Sequence, residues 1–352
     1  MALSCRTLGL AAMDALTEAT AEAIAQQHWG LRARARALPS HSDRNFLLRG
    51  EDGARFVLKL AHPSWSFADI DLENQAMLAL AAREPALGSP RVHPARGGAY
   101  LLALPVAGET RLVRLLDFVP GETYAEVIGT LGSRRRAALH DSLGRAVGRL
   151  TRGLAGFTHP AAAREHDWNL MRLSEALREL EHLADAELRA LVRRHAEAFC
   201  PQIPAWRVSL PIQVLHNDAN DRNVIVDAAG DTPRVSAIID FGDTCTSFRL
   251  ADLAIACTYA LQYEDDPLAC ARHIVAGYLA EQPLLRRELA ALHAFILARL
   301  CQSILMATRA AREQPGNDYA FVSQAGVRRL LQRLSDVDGT TLVEPFLESA
   351  RD

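Results

Sequence analysis

"LHNDANDRNVIVDAAGDTPRVSAIIDFGDT" spans residues 215–244 and decides both the fold class and the chemistry of this chain. The stretch holds six aspartates and three asparagines, set around two apolar, β-branched runs, NVIV and RVSAIIDF. Because the turn signal DAAGDTP joins these runs, they predict a β-hairpin. The acidic and amide side chains are therefore concentrated at the ends of short strands.

Two motifs in this stretch place polar residues at a fixed spacing. His216, Asp218 and Asn223 form the pattern H-x-D-x-x-x-x-N, and the triplet D-F-G follows the second strand at residues 240–242. Asx-rich segments between strands are usually turns, because Asp and Asn bond their own backbone. The two motifs in this order, each at a strand end, match instead the catalytic loop and the metal loop of kinases.

The residue types in these motifs suit phosphoryl transfer to a hydroxyl group. An attacking hydroxyl must lose its proton and be aimed in line with the γ-phosphate, and one carboxylate, Asp218, can do both. Mg²⁺ prefers oxygen ligands and keeps several waters, so Asp240 and Asn223 suffice as its protein ligands. The cation would also offset the repulsion among clustered carboxylates.

The candidate phosphate-binding residues lie upstream of these motifs. Lys59 falls in FVLKL, the second strand of a hairpin predicted from NFLLRG, GEDG and RFVLKLA, and Glu73 falls on a helix predicted over 69–83. Kinases place at such positions a lysine that contacts the α- and β-phosphates and the acid that pairs with it. Taken alone, a strand lysine and a helix glutamate are ordinary exposed residues.

The spacing of apolar residues changes along the chain and predicts an α+β, two-lobed protein kinase-like fold. The first third indicates a mainly antiparallel sheet with a leading helix from 14 to 29 and one inserted helix. Later segments have apolar residues three and four apart and predict helices over 134–153, 173–199, 250–262 and 286–311. The predicted parts are a β-rich nucleotide-binding lobe over 1–116 (1–29 leading helix), a hinge over 117–121 and a helical lobe over 122–352, which holds the catalytic and metal loops and the acceptor site.

With these motifs, the chain resembles the small-molecule kinases of the aminoglycoside phosphotransferase and choline kinase family over about residues 30 to 310. Within that family, LHNDANDRNVIV, IIDFGD, VRLLDFVPG and DRNFLL…FVLKL are most similar to the hydroxylysine kinases. The resemblance implies a phosphotransferase that uses ATP or GTP with Mg²⁺ and a small hydroxylated amine as acceptor. Two alternatives stay open: an aminoglycoside-modifying kinase and a catalytically silent nucleotide-binding module.

The resemblance assigns further roles residue by residue. Asp218 would be the catalytic base, and His216 a structural member of its loop. Asp252 would brace that loop, although a favourable charge at a helix N-terminus explains it equally well. The backbone from Leu116 to Val119 would meet the purine.

The sequence departs from protein kinases at two places. The loop LPSHSDRN lacks the pattern G-x-G-x-x-G, so Ser40, Ser42 and backbone amides would contact the phosphates instead. Asn217 stands in place of the arginine of H-R-D, and no A-P-E follows D-F-G. We therefore expect neither activation by loop phosphorylation nor a protein substrate.

Acidic residues near the two motifs suit an amine-bearing acceptor, although surface acids are ordinarily only solubilising. These residues are Asp221, Asp243, Glu264, Asp265 and Asp266. Trp168 would form a wall of the acceptor pocket or belong to the core. Arg249 and Arg299 would meet a substrate carboxylate or support helices.

Composition limits the partners and the compartment. The net charge of −3 and the pI near 6.5 lack the basic field of a nucleic-acid binder. Six cysteines without a Cys-x-x-Cys spacing indicate reduced thiols rather than a zinc site. The start of the chain is weak as a signal peptide and too short in its apolar run to span a bilayer. We expect a cytoplasmic protein without a nucleic-acid or membrane partner.

Overall fold

The computed structural model describes residues 16–39, 43–313, 324–348 and 350–352. The chain forms two compact units, the first from Met1–Leu78 and Pro90–Val119, the second from Ala79–Ser89 and Pro120–Asp352. The last crossing between them falls within the segment predicted as the hinge. One segment differs from the predicted division, because residues 79–89 belong to the second unit.

The first unit is built on an antiparallel sheet, as predicted. Its strands run in the order β1-β2-β3-β6-β4, with β5 also paired to β6. The elements are α1 (Glu18–Trp29), β1 (Ala33–Leu38), β2 (Arg44–Gly50), β3 (Arg55–Leu60), α2 (Phe67–Arg83), β4 (Val92–His93), β5 (Leu102–Val106) and β6 (Glu109–Asp117), and the end of α2 from Ala79 onward belongs to the second unit. The two-residue strand β4 was not predicted, since a strand this short cannot show alternation.

Helix α1 packs on this sheet through one face. Its start is capped by Thr17, whose Oγ1 accepts a hydrogen bond from the Thr20 backbone N–H at 3.2 Å, and its end by Gly30, whose φ of 72° is left-handed. Ile24 is buried against sheet residues that include Leu48 and Leu115. Capping and apolar spacing together place the helix where the sequence predicts it.

The second unit is mainly helical with two small antiparallel sheets. Its helices are α3 (Tyr124–Val127), α4 (Ser133–Gly153), α5 (Leu173–Ala176), α6 (Ala186–Phe199), α7 (Ile203–Ser209), α8 (Ala251–Leu261), α9 (Pro267–Leu279), α10 (Arg286–Glu313), α11 (Gln324–Leu334) and α12 (Thr340–Leu347). Its strands are β7 (Glu122–Thr123), β8 (Ile212–Leu215), β9 (Val224–Asp227), β10 (Arg234–Ile238) and β11 (Cys245–Phe248). The sheets are β10-β9-β7 and β11-β8, so the hairpin predicted from NVIV and RVSAIIDF is confirmed.

The single helix predicted over 173–199 is wrong. The structure has the short α5, a 3₁₀ segment to His182 and then a break before α6. The new helix begins because Asp185 caps it, with Oδ1 accepting from the Leu188 N–H at 3.0 Å. Apolar spacing continues across the break, so periodicity alone cannot reveal it.

Helices α4 and α9 approach so closely that side chains are excluded between them. A Cβ on Gly144 would lie 1.9 Å from the Ile274 carbonyl oxygen, and one on Gly277 would lie 2.1 Å from the Asp141 carbonyl oxygen. Glycine in a helix interior costs about 1 kcal/mol relative to alanine. Here that cost is offset by backbone packing that no larger residue permits.

Helix α10 is the central helix of the second unit. By length and composition it is apolar enough to cross a membrane, but 83% of its most apolar window is buried inside the protein. Among the described residues it is the one helix that meets this length and composition. This burial is typical of a core helix, and its position agrees with the helix predicted over 286–311.

Candidate active site

The β9–β10 hairpin brings the two sequence motifs together. Val224 is paired with Ile238 in the antiparallel ladder, and the Ile239 N–H donates to the Asn223 carbonyl at 2.9 Å. Asp240 follows directly after Ile239, so the D-F-G triplet starts beside the last residue of H-x-D-x-x-x-x-N. Strand pairing thus joins two segments that the sequence separates.

His216, which the resemblance makes a structural member of the loop, lies inside the protein and bonds to the backbone on both sides. The residue is fully buried, and its Nδ1 accepts from the Asp218 N–H at 3.2 Å. The proton therefore lies on Nε2, which is 3.1 Å from the Ile239 carbonyl oxygen. Burial lowers the pKa of His216 to about 4, so the ring is neutral at pH 7. A neutral, buried ring can hold the loop but cannot exchange protons with a substrate.

Asp252, the second residue of α8, braces the same loop. Its carboxylate accepts the backbone N–H of His216 at 3.3 Å and that of Asn217 at 2.7 Å. Asn217 has a φ of 65°, a left-handed conformation that asparagine tolerates better than arginine. Burial raises the pKa of Asp252 to about 6. The contact predicted for Asp252 is present. The left-handed backbone at residue 217 also explains why asparagine stands there in place of the arginine of H-R-D.

Three side chains hold the carboxylate of Asp218 in one orientation. Asn220 donates from Nδ2 to both carboxylate oxygens at 2.9 Å, and Asn223 donates from Nδ2 to Oδ2 at 2.7 Å. Arg299 reaches Oδ1 from the other side at 3.3 Å. The Asp218 side chain remains 20% exposed. A fixed carboxylate with a solvent-facing edge is what a positioned general base requires.

The electrostatic surroundings shift the proton affinity of Asp218. Burial raises the pKa of this carboxyl well above its usual range, and the nearby carboxylate of Asp243 adds to the rise. The Arg299 guanidinium and the Asn220 amide act in the opposite direction. A carboxylate with a raised pKa is a stronger base than a free one, and such shifts are typical of functional sites.

The loop after β10 exposes the D-F-G aspartate. Asp240 is exposed and has a φ of 63°, a strained conformation for a residue with a side chain. Arg164 holds the following turn by donating to the carbonyls of Gly242 and Thr244. The edge of the Phe241 ring meets His216, with ring centroids 4.6 Å apart. The loop is therefore anchored on both sides of its exposed carboxylate.

The donor set of this loop fits a hard divalent cation. The amide nitrogen of Asn223 donates to Asp218, so its amide oxygen is the side-chain atom that could bind a metal. Asp240 adds an exposed carboxylate close to Asn223, because it directly follows Ile239, whose N–H donates to the Asn223 carbonyl. Within the described residues no group of three or more His, Cys, Asp or Glu side chains could hold a metal. A cation bound by one amide and one carboxylate, with water and phosphate completing its shell, agrees with both observations.

The predicted acceptor-side acids do not share one environment. Asp221 is buried and its carboxylate accepts from the Tyr263 hydroxyl and from Gln262 Nε2 at 3.3 Å. Glu264 pairs with Arg136 at 3.2 Å. A substrate contact by Asp221 does not fit this environment, because the carboxylate is already occupied and shielded from solvent.

Asp243 and Trp168 lie beside the candidate base. The Asp243 side chain is 25% exposed, its Oδ1 is 3.3 Å from His166 Nε2, and its charge raises the pKa of Asp218. The Trp168 ring stacks against the Arg299 guanidinium, whose Cζ is 4.5 Å from the ring centroid. These two predicted acceptor residues therefore belong to the surroundings of Asp218.

The helix acid predicted to pair with Lys59 has a different partner in the structure. Glu73 is buried and forms an ion pair with Arg114, whose Nη1 also donates to Asn74 Oδ1 at 2.9 Å. Lys59 lies in β3 with Asn45 and Arg114 as its opposite residues on the two neighbouring strands. The lysine is thus one strand away from the cation that engages Glu73.

The other predicted nucleotide contacts fall on different kinds of backbone. Leu116 is buried within β6, where it is opposite Val57 and Val92, while Val119 lies beyond the strand and is partly exposed. Of these two residues, Val119 is the one whose backbone is not paired within a strand. Ser40 and Ser42 lie outside the described residues.

Two residues around Asp218 were not recognised from the sequence as its partners. Asn220 was not singled out, although its Oδ1 accepts the backbone N–H groups of Arg222 at 2.8 Å and Asn223 at 3.1 Å. Arg299 was considered for a substrate carboxylate but is only 1% exposed. Arg249, the other such candidate, forms an ion pair with the buried Glu288. The sequence signal that could have singled out Asn220 was its place in NDAND, where Asn and Asp residues are concentrated beside Asp218.

The Glu73–Arg114 pair leads to a prediction on stability. Replacing Glu73 with leucine should lower the free energy of unfolding by about 3–5 kcal/mol, because Arg114 is left buried without a counter-charge. Adding Arg114→Leu should recover much of this loss, whereas Lys59→Leu in the same background should recover none. Denaturant unfolding of the three variants measures both effects. Recovery by Lys59→Leu alone would show that Glu73 acts on the lysine.

The antiparallel-sheet unit and the helical unit, with its paired loops around Asp218 and Asp240, define a protein kinase-like fold. The chain matches the model of the phosphotransferase enzyme family over residues 34–295 and belongs to that family. It is a small-molecule kinase that acts on an alcohol group, and the family resemblance and fold class predicted from its sequence are confirmed.

Individual relatives agree with this assignment. The chain is 26% identical over 365 residues to hydroxylysine kinase of Mus musculus, covering 97% of this chain and 95% of that protein. Among solved structures, amicoumacin kinase in complex with AMP-PNP, Ca²⁺ and Ami has a TM-score of 0.66 at 18% identity, covering 88% and 91%. The GDP and kanamycin complex of APH(2″)-IIia has a TM-score of 0.59 at 15% identity, covering 88% and 96%. At these identities the solved structures show a shared fold.

Proposed function

We propose that the chain transfers the γ-phosphate of ATP or GTP to a hydroxyl of a small cationic or zwitterionic amine, with 5-hydroxylysine as the first candidate. The observation that supports this proposal best is the Asp218 carboxylate, fixed by Asn220, Asn223 and Arg299 while one edge stays exposed. The relative named hydroxylysine kinase covers nearly the whole chain and supports the choice of acceptor.

In the proposed reaction each residue has a limited task. Asp218 accepts the proton of the acceptor hydroxyl and aims its oxygen at the γ-phosphorus. Asn223 and Asp240 hold Mg²⁺, which when bound neutralises charge on the phosphate oxygens. Lys59 contacts the α- and β-phosphates as a point charge.

The acceptor ammonium is assigned to Asp243. An ammonium leaves water at low cost only where a carboxylate replaces the lost hydration. Asp221 and Glu264 are engaged by Tyr263 and Arg136, whereas Asp243, which lies 3.3 Å from His166 Nε2, stays 25% exposed and its charge acts on Asp218. Asp243 is therefore the carboxylate best placed to meet a cation close to the base.

The chain is proposed to act in the cytoplasm, where ATP and GTP are present. Its five described cysteines are free thiols, which agrees with a reducing compartment. They are Cys200, Cys245, Cys257, Cys270 and Cys301.

The proposed function is tested by measuring nucleoside diphosphate release from ATP and from GTP against a panel of acceptors. The panel includes 5-hydroxylysine, amino alcohols, hydroxy amino acids and kanamycin. We expect the highest kcat/KM with 5-hydroxylysine or a related amine. Efficient turnover of kanamycin alone would identify an antibiotic kinase instead. Nucleotide binding without any phosphorylated product would indicate a silent binding module.

Asp243→Asn should raise the acceptor KM about tenfold or more while leaving nucleotide affinity nearly unchanged, since one lost charge pair of 1.4 kcal/mol equals a factor of ten. Steady-state kinetics in which each substrate is varied in turn measure this split. Asp265→Asn, which changes an exposed acid of the same predicted set, is the matched control. Equal effects of the two variants would remove Asp243 from the acceptor site.

A further inference from the structure

Arg299 is a buried cation that the proposed chemistry does not explain. It lies on α10 and is 1% exposed, with its guanidinium 4.5 Å from the ring centroid of Trp168 and 5.8 Å from that of Tyr259. Taking an arginine out of water costs several kcal/mol unless its donors are satisfied. Its depth also keeps it from meeting a substrate carboxylate. The position therefore calls for a role within the protein.

The donors of Arg299 join three separate segments. Its Nη2 is 3.3 Å from Asp218 Oδ1, and its Nη1 donates to the Trp168 carbonyl at 3.0 Å and to Gln302 Oε1 at 3.2 Å. The same Trp168 carbonyl accepts from Asn217 Nδ2 at 3.2 Å. One planar cation thus ties the catalytic loop and the Trp168 segment to the central helix.

The other contacts of Asp218 indicate that its bond to Arg299 would control the orientation of the carboxylate relative to helix α10. Asn220 and Asn223 belong to the same loop as Asp218, so they move with it. Arg299 is the partner that comes from a helix 81 residues away, and 83% of the most apolar window of that helix is buried. A guanidinium has a rigid, planar arrangement of donors, which transmits orientation better than a flexible ammonium.

We propose that Arg299 is a positioning residue, which holds the Asp218 carboxylate and Trp168 in one arrangement relative to helix α10. The acceptor hydroxyl then meets the base at a set distance and angle. This inference rests on the proposed role of Asp218 as the base. It concerns the transfer step, because the group that Arg299 contacts is the carboxylate of the proposed base.

The test compares Arg299→Met with Arg309→Met, using the acceptor that the wild-type protein phosphorylates fastest. Arg309 lies on the same helix, but it donates to Asp167 Oδ2 at 2.7 Å rather than to Asp218. Asp167 directly precedes Trp168 in the sequence. We expect Arg299→Met to lower kcat about 10²-fold, the effect of misplacing a reacting group by about 1 Å, with an unchanged nucleotide KM. Arg309→Met should keep the wild-type kcat.

Arg299→Lys keeps the inference falsifiable if the methionine variant does not fold. Lysine retains the charge beside Asp218 but lacks the planar fork, so the variant should fold and still show a kcat about tenfold below wild type. A wild-type kcat in a folded Arg299→Met or Arg299→Lys protein overturns the positioning role. A wild-type protein that phosphorylates no acceptor is a different result, and it overturns the proposed function together with this inference.

Discussion

Asp218→Asn is expected to lower kcat by roughly 10²–10⁴-fold, the usual contribution of a positioned general base. Asparagine keeps the shape of the side chain and can still meet Asn220 and Asn223, so the fold and the nucleotide affinity should be retained. Steady-state kinetics and calorimetric nucleotide titration, both on protein with an unchanged melting temperature, measure the two parts of this expectation.

The matched control for this substitution is Asp221→Asn, which makes the same chemical change in the same loop. Asp221 is buried against Tyr263 and Gln262, and an asparagine oxygen can still accept a hydrogen bond from the Tyr263 hydroxyl. We expect a changed melting temperature but near-normal kcat. Near-normal turnover in Asp218→Asn would refute the assignment of the base, whatever the control shows.

Asp240→Ala should remove the dependence of nucleotide affinity on Mg²⁺ and lower kcat by at least about 10²-fold, because metal-ion charge stabilisation is worth several kcal/mol. The φ of 63° at this position disfavours alanine by about 1–2 kcal/mol, so Asp240→Asn should accompany it as the variant that fits the backbone. Calorimetric titration of ATP with Mg²⁺ and with EDTA measures the metal dependence.

Asp227→Ala serves as the control for the metal prediction. Asp227 ends β9 and pairs with Arg234 at 2.8 Å, on the hairpin that carries Asp240 but away from the candidate ligands. Its nucleotide affinity should respond to Mg²⁺ as the wild-type protein does. An unchanged metal response in both Asp240 variants would make Asp240 only a turn residue of the loop.

The candidate site could be predicted from the sequence where its residues are close along the chain. His216, Asp218 and Asn223 lie within eight residues, and Asp240 follows at the end of the next strand. The hairpin between them could be predicted because β-branched runs and a Gly-Asp turn signal are short-range features. Asp252 could be inferred from the family resemblance as well, because it follows shortly after the metal loop in the sequence.

Sequence reasoning missed partners that lie on neighbouring strands. Glu73 was predicted to pair with Lys59, and its ion pair with Arg114 of β6, the residue opposite Lys59, was not predicted. Sequence order does not reveal which strand will lie beside β3. The break before α6 was missed for a related reason, because a capping aspartate can start a new helix inside a continuous apolar pattern.

The family of the protein and the order of its two units could be predicted from the sequence, and so could the residues that are proposed to perform phosphoryl transfer. Those properties follow from hydrophobic periodicity and from motifs whose members are close along the chain. Only the tertiary structure decided which side chains orient Asp218 and which acids remain open to an acceptor. Arg299 reaches Asp218 across 81 residues, and Asp221 is closed off by Tyr263 from 42 residues away. Hydrogen bonds and ion pairs act over a few ångströms in space, so packing alone brings such partners together.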